Sequence, residues 1–255
     1  MSRIGALTVL ALISCACRGI GWPSRLGDQP APTTLPLDTT AQPVLIPGLD
    51  QPPEPIVLPA GFAVNVYAQG LNEPRMMAIG PDGFLYVAER GAGRIIRIPD
   101  RDQDGVSDGV EVAADNMGSP SSLAFFKDGS LYVGLTARVL RFSQLDETGK
   151  YQAREVVIAD LPVEGHHTRT VLFSPDWSYL FVSIGSSCNS CVEEDPRRAA
   201  IVRYKPDGSD ETIYATGLRN AVGITFRPGT GELWATNNGR DMLGDDLPPD
   251  RKSVV

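Results

Sequence analysis

The only two histidines of the chain, His166 and His167, stand side by side between two apolar, strand-like runs. Imidazole has an ordinary pKa of about 6.5, so a histidine can take up a proton near neutral pH. Arg169 lies just beyond the pair, and Arg219 and Asn220 occupy a similar place before a later strand-like run. A base, cationic groups and an amide together suit a site for an anionic ligand, although any one of them alone is more often a solvated loop residue.

A second group of residues has the spacing of a calcium-binding loop. Residues 100–111 match the pattern D-x-D-x-D-G-x5-E, which places oxygen ligands at positions 1, 3, 5, 9 and 12 and glycine at the sharp turn. The five ligands would be Asp100, Asp102, Asp104, Asp108 and Glu111. Strand-like segments rather than helices flank the loop, so it is not part of an EF-hand pair. The strand repeat places the loop on the face opposite the histidines, and we therefore expect a structural calcium site there. An ordinary acidic turn is the alternative.

The N-terminus has the layout of an export signal. Arg3 precedes an apolar run over residues 4–13, which is too short to span a bilayer, and Cys15 follows as in a bacterial lipobox. We expect a lipoprotein-type signal peptide over residues 1–18, with Cys15 acylated and the protein periplasmic or membrane-anchored. Plain secretion with cleavage near Ala16 is the alternative. Residues 19–56 are rich in proline and predict an extended linker.

The net charge excludes one class of partner, and the cysteine spacing predicts a disulfide. The formal net charge of −8 repels phosphate backbones, so we expect no nucleic-acid partner. Disulfides persist outside the cytoplasm, and Cys188 and Cys191, in a C-x-x-C spacing, predict a small disulfide. Haem attachment is excluded because Val192 rather than histidine follows Cys191, and zinc would need two further ligands.

An internal repeat predicts the elements that position these residues. Four times the chain shows an apolar run, a tight turn and a second apolar run. The corresponding leucines lie 46, 49 and 53 residues apart, at Leu85, Leu131, Leu180 and Leu233. Runs of alternating polar and apolar residues lie between these pairs. Four short antiparallel strands in each repeat are typical of a β-propeller blade, so the sequence predicts an all-β propeller of four-stranded blades.

Residues 57–255 have room for about four blades. The fourth is expected to lack its third and fourth strands, because residues 248–255 contain no apolar strand pair. We therefore expect an incomplete propeller, as from a truncated or frameshifted gene, and a closed four-bladed ring is the alternative. Strands alternate in direction, so the loops before each first strand and after each second strand meet at one face. That face would hold both histidines and the nearby arginines.

At these loops the sequence resembles the soluble quinoprotein glucose/sorbosone dehydrogenases, which depend on pyrroloquinoline quinone (PQQ), and most closely their sorbosone-dehydrogenase-like branch. The resemblance covers about residues 57–250 and is carried by the order and spacing of residues 58–62, 88–91, 165–170, 185–189 and 217–220. It implies a six-bladed propeller whose members oxidise sugars or polyols. They pass a hydride to PQQ held by calcium, and an external acceptor then takes the electrons.

The resemblance also implies roles for individual residues. His166 matches the catalytic base and is favoured over its neighbour by its register with the Thr-Arg strand entry that follows. Arg219 and Asn220 match residues that contact the cofactor, and Arg169 is assigned with them. The backbone carbonyls near Gly239 and Arg240 would bind the cofactor calcium.

Departures from the family keep other functions open. Gly165 stands where the glucose dehydrogenases carry an aspartate, which weakens a claim for glucose. The later cofactor-binding residues of the family would fall outside these four blades, so the chain alone could be inactive. A lactonase-like metal-dependent hydrolase is one alternative, but the channel loops supply few carboxylates besides Glu89. A non-catalytic propeller that binds carbohydrate or protein is another.

Overall fold

The computed structural model describes residues 58–59 and 62–244, together with the backbone of two short strands nearer the termini. The first of these, β1 (Leu10–Ala11), pairs antiparallel with β2 (Val66–Ala68). The predicted linker, and Cys15 with most of the predicted signal peptide, lie outside the described residues. Within the described part of the chain, no helix has the length and apolar character needed to span a membrane.

The chain divides into two compact units. One comprises Met1–Gly70 with Asp100–Ser107, and the other comprises Leu71–Pro99 with Asp108–Val255. The second unit contains four antiparallel sheets, and each is built from consecutive strands. Every residue assigned above to the quinone site belongs to this second unit.

Three of the sheets have four strands. The first contains β3 (Pro74–Ile79), β4 (Leu85–Glu89), β5 (Arg94–Ile98) and β6 (Glu111–Ala114). The second contains β7 (Pro120–Phe125), β8 (Leu131–Leu135), β9 (Arg138–Leu145) and β10 (Tyr151–Ile158). The third contains β11 (Arg169–Phe173), β12 (Leu180–Ile184), β13 (Ala200–Tyr204) and β14 (Thr212–Thr216). The fourth sheet contains β15 (Ala221–Phe226), β16 (Leu233–Asn237) and β17 (Arg251–Val254).

The sheets are the blades of a β-propeller. Their first strands pack against one another in succession, β3 on β7, β7 on β11 and β11 on β15. First strands that meet while the later strands lead away from them form the radial arrangement of a propeller. The prediction of an all-β propeller with four-stranded antiparallel blades is confirmed.

The prediction for the fourth blade was wrong by one strand. Strand β17 pairs antiparallel with β16, in a register that joins Val254 to Trp234 and Arg251 to Asn237. Residues 251–254 lack alternating apolar positions, so hydrophobic periodicity did not indicate a strand there. Strand pairing uses backbone N–H and C=O groups, which the open edge of a strand offers to a segment of almost any sequence.

The hydrophobic core lies between adjacent blades. Tyr86 and Ala88 of the first blade pack with Leu131 and Val133 of the second, and similar clusters join the second to the third blade and the third to the fourth. Every residue of β4, β8 and β12 is buried. Neighbouring sheets cover both faces of β8 and β12, which explains why these second strands are continuous apolar runs rather than alternating ones.

Side-chain hydroxyls on the inner strands join neighbouring blades. Ser122 Oγ on β7 lies 2.6 Å from the Arg169 carbonyl, to which it donates, and it accepts from Val171 N at 3.0 Å. Thr170 Oγ1 on β11 donates to Val222 O at 2.5 Å. These bonds run across blade boundaries, so they hold the first strands in register with one another. The loops that enter those strands are positioned by the same contacts.

Candidate functional site

His166 lies in the loop that leads from β10 into β11. Its backbone N donates to Ser186 O at 3.0 Å, and its ring Nδ1 lies 2.9 Å from the same carbonyl oxygen and 3.2 Å from Ser186 Oγ. Ser186 follows β12, the second strand of the same blade. His166 is half-buried, whereas His167 is exposed. Of the two histidines, His166 is the one that the fold holds in place.

A glycine allows this loop to approach so closely. Gly165 has φ of 66°, and a Cβ at that position would lie 2.3 Å from Ser187 O and 2.5 Å from Ser186 O. Any other residue would have to push the loop away from the strand end. The aspartate of the glucose dehydrogenases therefore does not fit this backbone.

Arg219 and Asn220 lie at the same end of the unit, before β15. Ser186 N donates to Arg219 O at 2.7 Å, so Ser186 is bonded on one side to the His166 loop and on the other to this one. A Cβ on Gly185 would lie 2.6 Å from His166 Cβ and 2.7 Å from Asn220 Oδ1. The structure thus brings the predicted base and the predicted amide together around Gly185.

Asn220 Oδ1 is buried and has no hydrogen-bond partner among the residues that the structure describes. The residue is 7% exposed, and its backbone N is held by Asn237 Oδ1 at 3.0 Å. A buried polar atom without a partner is costly, so such an atom at a candidate site fits a ligand that completes its hydrogen bonding. This atom lies where the family resemblance expects PQQ, and its chemistry fits a polar ligand of that kind.

The Arg219 guanidinium ties together two loops of this end. It donates to Asn189 O at 3.0 Å, to Asn189 Oδ1 at 2.9 Å and to Asp241 Oδ2 at 2.7 Å. Asn189 belongs to the loop after β12 and Asp241 to the loop after β16. In the same loops, Arg240 Nη1 donates to Ser190 Oγ at 3.1 Å. The ion pair with Asp241 offsets part of the Arg219 charge. Sequence reasoning gave no site role to Asp241, nor to Asn189, although Asn189 lies in the matched stretch 185–189.

The loop after β16, which contains Gly239 and Arg240, begins beside Asn220. Asn238 N donates to Asn220 O at 3.0 Å. The predicted calcium-binding carbonyls are therefore next in sequence to a residue bonded to Asn220. Their role as calcium ligands stays a prediction.

Arg169 holds a different position from the one expected of a ligand contact. Its side chain is fully buried, and its guanidinium donates to the carbonyls of His166 at 2.8 Å, Thr168 at 2.9 Å and Pro162. Burial lowers the pKa of Arg169 to about 10, and repulsion from the buried Arg198 acts in the same direction. These contacts make Arg169 the support of the His166 loop, and a direct contact with cofactor stays a prediction.

Cys188 and Cys191 are joined by a disulfide in the loop after β12. Ser186 Oγ donates to Cys188 O at 2.6 Å, and Ser187 N donates to Glu193 Oε1 at 2.9 Å. The disulfide therefore closes a loop whose first residues contact His166. Ser186 lies in the matched stretch 185–189, but its contact with His166 could not be read from the sequence, because His166 precedes it by 20 residues.

The residues of the candidate calcium loop are divided between the two units. Asp100, Asp102 and Asp104 lie in the smaller unit, and their carboxylate oxygens come within 4.8 Å of one another. Asp100 also accepts from Asp104 N at 3.2 Å and from Gly105 N at 3.1 Å. In the larger unit, Glu111 accepts from Arg97 Nη1 at 2.6 Å, and Asp108 N donates to Pro99 O at 2.8 Å. Calcium binding by these residues stays a prediction.

Comparison with known proteins identifies the family. A family model described as TrAA12-like matches residues 56–248. The chain belongs to the TrAA12-like family. Among curated relatives it is 26% identical over 207 residues to a "Pyrroloquinoline quinone-dependent sugar dehydrogenase" of Hypocrea jecorina, covering 72% of this chain and 47% of that protein. It is 25% identical over 211 residues to an uncharacterized protein of Borreliella burgdorferi, covering 78% of this chain and 53% of that protein.

Solved structures share the fold of this chain. The PQQ domain of pyranose dehydrogenase from Coprinopsis cinerea, in its holo form, superposes with a TM-score of 0.69 at 23% identity, covering 81% of this chain and 54% of that one. The calcium structure of the family AA12 enzyme from Trichoderma reesei gives 0.65 at 23% identity, covering 74% and 53%. This chain thus spans about half the length of these relatives. The predicted resemblance to PQQ-dependent sugar dehydrogenases is confirmed.

Proposed function

We propose that this chain forms part of a PQQ-dependent dehydrogenase that oxidises a hydroxyl group of a sugar or polyol, with His166 as general base. The observation that carries the proposal is the meeting of His166 and the unpartnered Asn220 Oδ1 around Gly185. The family membership supports the kind of reaction, because named relatives are sugar dehydrogenases that use PQQ. The external electron acceptor and the individual sugar are parts of the same proposal.

In this proposal His166 takes the proton of the substrate hydroxyl while the hydride leaves the adjacent carbon. PQQ, when bound, supplies the two-electron acceptor for that hydride. Asn220 would complete its hydrogen bonds on the cofactor, and Arg219 would add a nearby positive charge. The carbonyls of Gly239 and Arg240 would hold the cofactor calcium, which takes oxygen ligands. Arg169 would hold the His166 loop in place through hydrogen bonds to its backbone carbonyls.

The lactonase-like alternative receives less support. A metal cage needs several free carboxylates, but the Glu89 carboxylate is buried and bound by Arg94 Nε and by Asn72 N, the latter at 2.6 Å. Within residues 62–244, the groups of potential metal ligands are Asp100–Asp102–Asp104 and Cys188–Cys191–Glu193, and neither includes His166.

Reconstitution tests the proposal. The full chain would be loaded with PQQ and Ca²⁺ and assayed with a dye acceptor on a panel of aldoses and polyols. We expect dye reduction, and His166→Gln should lower kcat by about 10²- to 10⁴-fold, the usual contribution of a general base. His167→Gln is the matched control and should retain the wild-type rate, because that side chain is exposed. Equal rates in wild type and His166→Gln, or lactone hydrolysis without quinone, would contradict the proposal.

We also propose that the chain is exported and that Cys15 anchors it to a membrane. The basis is the signal layout over residues 1–18 and the proline-rich stretch over residues 19–56. Expression in a bacterium with labelled palmitate should label the wild type and not Cys15→Ser. Label in both proteins, or in neither, would count against the anchor.

A further inference from the structure

We propose that Ser186 is a positioning residue that holds His166 in the tautomer protonated at Nδ1, so that Nε2 carries the lone pair. The inference deepens the proposed function, since it names the nitrogen that would act as the base. It rests on the hydrogen-bonding capacities of the atoms around one ring nitrogen. A neutral imidazole carries a single N–H, so the state of Nδ1 decides the state of Nε2.

The carbonyl of Ser186 requires a proton on Nδ1. This oxygen lies 2.9 Å from His166 Nδ1 and has no hydrogen to donate. An unprotonated Nδ1 at that distance would place two lone pairs against each other. The contact is therefore a hydrogen bond only when Nδ1 is the donor.

The hydroxyl of Ser186 makes the same demand. Ser186 Oγ lies 3.2 Å from Nδ1, but its one hydrogen is directed to Cys188 O at 2.6 Å. The hydroxyl is then free only to accept from the ring. Two oxygens of one residue thus face Nδ1 as acceptors, and both favour the same tautomer.

Neighbouring contacts fix these two oxygens in space. Ser186 is 5% exposed, and its backbone N is held by Arg219 O at 2.7 Å. Its carbonyl also accepts from His166 N at 3.0 Å, which holds the ring close to it. Cys188, whose carbonyl accepts the hydrogen bond of the Ser186 hydroxyl, is held in the disulfide with Cys191. The partners of Nδ1 are neutral, so the arrangement orients the ring without a carboxylate.

Nitrogen NMR can read this tautomer directly, because the chain has only two histidines. The full chain would be labelled with ¹⁵N-histidine in a His167→Gln background, which leaves one imidazole signal pair. Two-bond ¹⁵N–¹H correlation spectra, recorded at a pH at which the imidazole is neutral, distinguish Nδ1–H from Nε2–H. No quinone or substrate is needed for this measurement.

We expect the Nδ1–H pattern in the parent protein. In Ser186→Ala, which keeps the carbonyl and removes only the hydroxyl, we expect the same pattern with a minor Nε2–H component. Ser187→Ala is the matched control, since its hydroxyl contacts Cys191 Sγ rather than the ring, and it should keep the parent pattern. In the reconstituted enzyme, Ser186→Ala should lower kcat by about tenfold, in proportion to one lost hydrogen bond, with KM little changed. An Nε2–H pattern in the parent would overturn the inference, and a Ser186→Ala spectrum without any Nε2–H component would overturn the part assigned to the hydroxyl.

The two proposals fail in different ways. If the parent shows Nδ1–H but His166→Gln keeps full dehydrogenase activity, the proposed function falls and the positioning of the ring stands. If activity depends on His166 but the parent shows Nε2–H, the role of Ser186 falls and the proposed function stands.

Discussion

The buried guanidinium of Arg169 and the backbone carbonyl of His166 are joined by a hydrogen bond of 2.8 Å. The same guanidinium donates to the carbonyls of Thr168 and Pro162, so one side chain holds both ends of the loop that leads to the candidate base. All three of these hydrogen bonds go to backbone carbonyls, so the Arg169 side chain shapes the backbone of the loop.

Replacing Arg169 by methionine should therefore destabilise the fold. The change leaves three half-buried carbonyls without their donor. Each unsatisfied group costs about 1–3 kcal/mol when buried and less where water reaches it. We expect the free energy of unfolding in guanidinium chloride to fall by about 3 kcal/mol. Arg138→Met, at an exposed position, should change it by less than about 0.5 kcal/mol. Unchanged stability with weakened PQQ binding would instead assign Arg169 to direct cofactor contact.

Removing the disulfide should have a local and limited effect. The bridged cysteines are separated by 3 positions, and closing so short a loop contributes about 2 kcal/mol in the chain-entropy model. The Arg219–Asn189 contacts remain and continue to hold the loop. In chemical denaturation, the free energy of unfolding of the double variant Cys188→Ala, Cys191→Ala should fall by no more than that amount. The free energy of unfolding of Ser209→Ala, a change in another loop, should fall by less. Unfolding of the whole chain upon removal would contradict a local role.

Calcium should stabilise the chain through Asp100. If the loop over residues 100–111 binds the ion, Ca²⁺ at a hundred times its dissociation constant adds about 2.7 kcal/mol to stability, and EGTA removes it. Asp100→Asn should abolish the calcium-dependent rise in Tm. Asp146→Asn is the matched control, because Asp146 also heads a turn and accepts from Thr148 N and Lys150 N. A Tm that does not respond to Ca²⁺ identifies the loop as an ordinary acidic turn.

The pKa of Asp176 should depend on one serine. The Ser174 hydroxyl donates to Asp176 Oδ1 at 2.6 Å, and this bond together with Ser178 lowers the pKa of Asp176 from 3.8 to about 2. A depressed pKa in the folded state means that the stabilisation is present above about pH 4 and is lost as pH falls towards 2. In ¹³C NMR titration, Ser174→Ala should raise the pKa of Asp176 towards its ordinary value.

The control for this titration is Ser209→Ala. It removes the corresponding hydroxyl, which donates to Asp207 Oδ1 at 2.6 Å in another turn. The pKa of Asp176 should not change in that variant. A low pKa of Asp176 that survives Ser174→Ala would show that the Ser174 hydroxyl is not its main cause.

Much of the fold was predictable because the blade is a local unit. Second strands such as β4 and β8 are fully buried, so their composition is apolar, and the aspartate turns before them recur at nearly constant spacing. Strand β17 was missed because it has no apolar pattern and pairs through its backbone. The family resemblance likewise depended on the order and spacing of short loop sequences, and the repeat of blades along the chain fixes that order.

The sequence by itself determined the number and type of strands in each complete blade, and it placed His166, Arg219 and Asn220 at one end, because alternation of strand direction follows from connectivity. Only the tertiary structure decided which side chains meet there. Ser186 contacts His166 across 20 residues, Arg219 contacts Asp241 across 22, and Arg169 faces inward to the loop carbonyls. A hydrogen bond forms only when its two atoms are placed to within roughly a few tenths of an ångström. The packing of adjoining strands and blades sets that placement, and residue spacing along the chain does not.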